Sequence, residues 1–268
     1  DLGKAEDLLN QALKCLDKEL VEGEDQIFLR SFLINGLACV RHRQGLPAEA
    51  VELCRAAQEN LVRNLASSKH KLHRSVLFYN LAQVFASTGA YVEAIANYST
   101  AMEMDPNYSE YYNERGGVFL AMGKLPEAEA DFIRAIELSS PYSQVWTNLG
   151  QCRSLRGAFE QSLEAYGRAI DLNPSDALPW IGRAQAHQHL DRHEAAVNDY
   201  SKALSFEPDN PFLLSNRAVV LMALDRPEEA LVDLDRASGL APENEVLAQN
   251  REFVARVLAD RRLECQSI

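Results

Sequence analysis

The sequence predicts an all-α fold of stacked antiparallel helix pairs, and three series of residues in one phase predict it. Prolines at Pro106, Pro174, Pro208 and Pro242 follow one another at 68, 34 and 34 residues, with Ser140–Pro141 at the one missing place. Small residues recur at the same period, as Ala94, Ala128, Ser162, Ala196 and Ala230, and without exception as Ala101, Ala135, Ala169, Ala203 and Ala237. Between these two stand Tyr98, Phe132, Tyr166, Tyr200 and Leu234. Earlier in each unit come Phe78, Tyr112, Trp146, Trp180 and Leu214, each followed by a small residue, Ala82, Gly116, Gly150, Ala184 or Ala218. Self-similarity at a period of 34 is the mark of a stack of supersecondary units.

Taken in order, the chain opens with Ala5, Leu9 and Ala12, which match the second half of a unit whose first helix is missing. The next unit opens near Ser31, with Gly45, Ala50, Cys54 and Ala57 in register, and runs 44 residues to Ser75. Its second helix, roughly Pro47 to Ser67, must therefore be longer than the others, and the linker around Glu19 to Gln26 is lengthened too. Five strict units follow, at 75–108, 109–142, 143–176, 177–210 and 211–244. Each reads as two amphipathic helices joined by a turn carrying Gly89, Gly123, Gly157, Asp191 or Asp225. Small residues sit where the helices cross, the aromatic fills the gap beside them, and the proline ends the second helix. Glu245 to Asp260 forms a final helix that caps the last apolar face. The expected organisation is 1–74 as a half repeat and one lengthened unit, 75–244 as five units, and 245–268 as capping helix and tail, in one continuous solenoid. An uncapped half-unit start suggests a piece of something larger.

Composition narrows the function. With 47% hydrophobic and 25% charged residues the chain can bury a core. A net charge of −12 argues against nucleic acid or an anionic membrane as partner, since both need a basic surface. It favours a basic peptide, or merely keeps the protein in solution. Five cysteines, an odd number with no C-x2-C pair, read as reduced thiols in a cytoplasmic protein. No apolar run reaches the length of a membrane span.

The pattern W-x2-L-G-x2-Y, then A-x3-F, then P, at this period resembles the tetratricopeptide repeat over essentially the whole chain. The resemblance implies a right-handed superhelix in which first helices line a concave groove and second helices face outward. It also implies a scaffold for proteins or extended peptides, with neither cofactor nor catalysis. The groove position falls on Asn80, Glu114, Asn148, Gly182 and Asn216, with Tyr79, Gln83, Asn113, Thr147, Gln151 and Gln185 close by. A carboxamide both donates and accepts, so Asn80, Asn148 and Asn216 can grip a peptide backbone. They resemble the asparagine ladder of the O-GlcNAc transferase repeats, although asparagine is common at this place in such units. The clamp by which other members hold chaperone C-termini lacks its basic residues here, and Glu114 would repel a carboxylate.

Other clusters invite chemistry. Lys69, His70, Lys71, His73 and Arg74 form a basic run suited to an acidic segment, or simply a solvated helix start. His187, His189 and His193 suggest a metal, but the turn at Asp191 separates them and no ligand set is completed, so no metal is expected. Arg115, Arg183 and Arg217 stand where such repeats often carry leucine, and are expected to pair with acids of the adjoining helix. No phosphate loop or nucleophile elbow is present. The leading expectation is a non-catalytic peptide-binding scaffold. The alternative is the substrate-selecting or sensor arm of a larger enzyme or signalling ATPase, and self-association through an uncapped end is a third.

Overall fold

The computed structural model of the chain describes residues 1–17, 23–64, 71–139 and 142–266, with backbone alone at 64, 73, 262 and 264–266. Those residues contain fourteen α-helices and no strand. They fall into two compact units, Asp1–Ser140 and Pro141–Ile268. Among them no helix is long and apolar enough to cross a membrane.

The first unit contains α1 (Leu2–Leu16) and the pairs α2 (Glu24–Arg43) with α3 (Pro47–Asn64), α4 (Lys71–Ser87) with α5 (Tyr91–Met104), and α6 (Ser109–Ala121) with α7 (Leu125–Leu138). The second contains α8 (Ser143–Leu155) with α9 (Phe159–Leu172), α10 (Ala177–His189) with α11 (His193–Phe206), α12 (Pro211–Ala223) with α13 (Pro227–Leu240), and a last helix, α14 (Glu245–Gln266), packed on α13. Within each unit, α5 also packs on α6, α9 on α10 and α11 on α12, so that each pair closes the apolar face of the next.

The repeat residues do the work assigned to them. Every alanine of the two series is fully buried, and Ser162 takes an alanine's place by donating its hydroxyl to the Phe159 carbonyl at 2.8 Å. Beside them Tyr98, Phe132, Tyr166, Tyr200 and Leu234 are buried. Tyr112 and Trp180 bind the loop that ends the preceding helix, donating to the carbonyls of Pro106 and Pro174 at 3.1 Å. The turns close in one way throughout. In five pairs of the repeat the residue after the turn donates to the carbonyl five residues back, as Ala90 does to Phe85 and Arg192 to His187, both at 2.9 Å. This motif needs a left-handed residue, supplied by Gly89, Gly123 and Gly157 and, in the last two turns, by Asp191 (φ 55°) and Asp225 (φ 59°).

The N-terminal region departs from the expected boundaries. The first helix of the lengthened unit starts at Glu24, seven residues before Ser31, because Gly23 caps it and accepts its first turn while the Gln26 side chain accepts from the Gly23 amide at 3.3 Å. Helix α3 has 18 residues against 14 in each later second helix, as the 44-residue spacing requires. Lys69 and His70 of the basic run, and Pro141 with Ser140, lie outside the described residues. Arg74 does not belong to a solvated cluster, since it is only 5% exposed within α4.

Candidate binding face of the first helices

Each first helix carries one stripe at spacing i, i+4, i+7 that its own pair leaves uncovered. In α4 the stripe is Val76, Asn80 and Gln83; in α6, Glu110, Glu114 and Gly117; in α8, Gln144, Asn148 and Gln151. In α10 it is Leu178, Gly182 and Gln185; in α12, Phe212, Asn216 and Val219; in α14, Val246, Asn250 and Phe253. Outer members are mostly exposed and the middle ones half-buried, except Gly182, which is buried against Tyr166 of the preceding second helix. A Cβ on Gly182 would lie 2.3 Å from Cζ of Tyr166, which explains why the asparagine series breaks there.

The opposite flank is held by charge. Arg115, Arg183 and Arg217 each make a bidentate pair with the acid sixteen residues later, Asp131, Asp199 and Asp233, at 2.7–2.8 Å. The three carboxylates are buried. Arg115 and Arg217 also donate to Ser99 and Ser201 of the preceding second helix, at 2.8 and 2.9 Å. Each of these two guanidinium groups thereby ties together three successive helices, whereas Arg183, with Gly167 at the serine position, joins two. Where the arginine is leucine, as at Leu81 and Leu149, the acid is replaced by Asn97 and Ala165. Arg251 of α14 keeps the register and pairs backward with Asp235.

The residues expected to bind are placed unevenly. Asn80, Asn148 and Asn216 are half-buried on their stripes, with Asn148 accepting from Gln144 at 3.0 Å. Gln83, Gln151 and Gln185 are exposed, and Gln83 donates to the Tyr79 hydroxyl at 2.9 Å. Asn113 is different. At 3% exposure it is buried, with its amide 3.2 Å from Glu114 Oε1, so it orients Glu114 rather than presenting itself. Tyr79 belongs to an aromatic cluster, its ring centroid 5.9 Å from Tyr98 and 5.2 Å from Tyr111. Asn250, 34 residues after Asn216, is a fourth asparagine at the stripe position. It is concealed when α14 is read only as a cap.

The three histidines go to different neighbours. His187 Nε2 lies 3.8 Å from Asp199, His189 stacks on Phe159 at 4.4 Å, and His193 faces Asp191 at 3.9 Å. Burial lowers the pKa of His187 more than Asp199 raises it, and the thiol of Cys54 is pushed up to about 12, chiefly by burial.

Comparison with known proteins agrees with this geometry. Tetratricopeptide-repeat models match residues 82–123, 143–176 and 179–210. No curated protein matches. Among solved structures, a tetratricopeptide repeat protein from Parabacteroides merdae is 20% identical, with 95% of this chain and 93% of that one covered at a TM-score of 0.64. PilF of Pseudomonas aeruginosa is 18% identical over 88% and 100% of the two chains, at 0.66. YrrB, described as a TPR protein with an unusual peptide-binding site, is 18% identical over 73% and 97%, at 0.60. With its repeats in phase, its helix pairs stacked and these matches, the chain is a member of the tetratricopeptide-repeat family, the fold of protein-interaction scaffolds.

Proposed function

We propose that the protein is a non-catalytic scaffold that binds an extended peptide on the first-helix stripes, which the family resemblance puts on the concave side. The observation that carries this reading is the contrast between faces. Core alanines and buried ion pairs satisfy the other faces of these helices, whereas the i, i+4, i+7 stripe keeps carboxamides and apolar side chains turned outward. Carboxamides supply sequence-tolerant bonds to a peptide backbone, and the apolar members supply contact area. That YrrB is described as having a peptide-binding site supports it by analogy of fold. Free thiols at Cys15, Cys39 and Cys54 fit a reducing, cytoplasmic setting.

The test is affinity for a partner captured with the full chain. Asn80, Asn148, Asn216 and Asn250 changed together to alanine should weaken binding by roughly one and a half to four decades, since each lost bond is worth roughly 0.5–1.5 kcal/mol. The melting curve should barely move. Glu52, Glu127 and Glu194, on second helices, are the control and should leave affinity intact when changed to alanine. The opposite outcome would put recognition on the second-helix face.

A further inference from the structure

Between α4, α5 and α6 the first unit holds a cavity of about 370 Å³. Gln83, Tyr91, Tyr98, Glu114 and Gly117 are among the residues that line it. Its origin is a local departure from the repeat. At the third stripe position the neighbouring first helices carry Gln83 and Gln151, but α6 carries Gly117, whose absent side chain would meet nothing within 4 Å. The missing side chain opens the space in front of Glu114. That carboxylate is half-buried, and its hydrogen-bond donor among the described residues is the neutral Asn113. No lysine or arginine among the described residues pairs with it. Burial, and then the charge of Glu110, raises its pKa, and burial, followed by the charge of Glu114, pushes the Tyr79 and Tyr98 hydroxyls upward. An unneutralised carboxylate walled by tyrosine rings is what a cation on an aliphatic stem requires: the charge meets the carboxylate and ring faces, and the stem covers apolar wall.

We infer that this cavity is a specificity pocket for a lysine or arginine side chain of the bound peptide, with Glu114 as its counter-charge and Gly117 as its opening. The inference rests on the peptide-binding reading above and adds the chemistry of one subsite.

The experiment pans random dodecamer peptides displayed on phage against the full chain and measures affinities of the enriched sequences. Enriched peptides should hold a basic residue at one fixed position, and exchanging it for norleucine should cost on the order of ten-fold in affinity. Glu114→Gln should cost the parent peptide a similar factor and the norleucine peptide almost nothing. Gly117→Gln, which installs the side chain the neighbouring repeats carry, should close the pocket while keeping the helix. Enriched peptides without a basic position, or equal effects of Glu114→Gln on both peptides, would overturn the pocket. If Asn80→Ala still weakened those peptides, the stripe reading would survive that loss, whereas indifference to both Asn80→Ala and Glu114→Gln would reject the two together. Displacement by spermidine at the concentrations where the peptide binds would assign the pocket to a free amine and overturn the peptide side chain.

Discussion

Gly117 in the first unit and Gly182 in the second both sit on first-helix stripes, yet they are glycine for opposite reasons. At Gly182 the ring of Tyr166 stands where a Cβ would go, so packing excludes any larger residue. At Gly117 the space is empty, and the interior of α6 accepts the conformational cost of glycine without a packing return. The wider stripes differ in the same way. Around Gly117 the first unit presents Glu110, Glu114 and the tyrosines. In the second unit the stripe turns apolar along the chain, from Gln144 to Leu178, Phe212 and Val246, the last three 57, 67 and 63% exposed. One backbone plan therefore offers a cation-accepting surface in one unit and a hydrophobic one in the other, because the outer stripe residues support no core and vary without harming the stack.

The largest effect expected lies off the stripes. Asp233→Ala strips the buried partner from Arg217 and should cost about 2–3 kcal/mol in urea unfolding. The double variant Arg217→Leu with Asp233→Ala should recover most of that, since Leu149 with Ala165 already fills the same two positions within the second unit. A double variant as unstable as the single one would mean that the ion pairs do more than fill the helix crossing.

Next, Gly182→Ala should destabilise by about 1–3 kcal/mol, because the tyrosine must shift. Gly117→Ala should instead stabilise by about 0.5–1 kcal/mol. Matching signs in thermal melts would erase the distinction between the two glycines.

Glu114→Gln tests the first unit most finely. A carboxyl whose folded pKa is raised favours the protonated fold, so its contribution to stability is present below the ordinary carboxylate range and is lost as pH rises through the folded value. The variant should therefore melt above the parent at neutral pH, and the gain should vanish on acidification. Stability gained where peptide affinity is lost marks a residue kept for binding. A gain that persists in acid would assign the effect to packing.

Much of this was legible in the linear pattern. A period of 34 with alanine at two fixed places specifies close helix crossings, and the glycine or aspartate before each second helix specifies the left-handed turn. The arginine–aspartate pairs were half legible: the arginines stood out against the leucine of the repeat, but their acids lie sixteen residues on, across a helix crossing. The start of α2 was missed because its cap, Gly23 with Gln26, precedes the repeat register. Asn113 was misread because its neighbour Glu114 holds the stripe position, and one residue along a helix turns a side chain by about 100°. The sequence by itself determined the stack, because packing of regular helices depends on residues at fixed spacing. Only the tertiary structure decided which stripe residue is presented and which is packed. Whether Gly117 opens a cavity or Gly182 seats a ring depends on what a neighbouring helix puts opposite, and no spacing along one helix contains that.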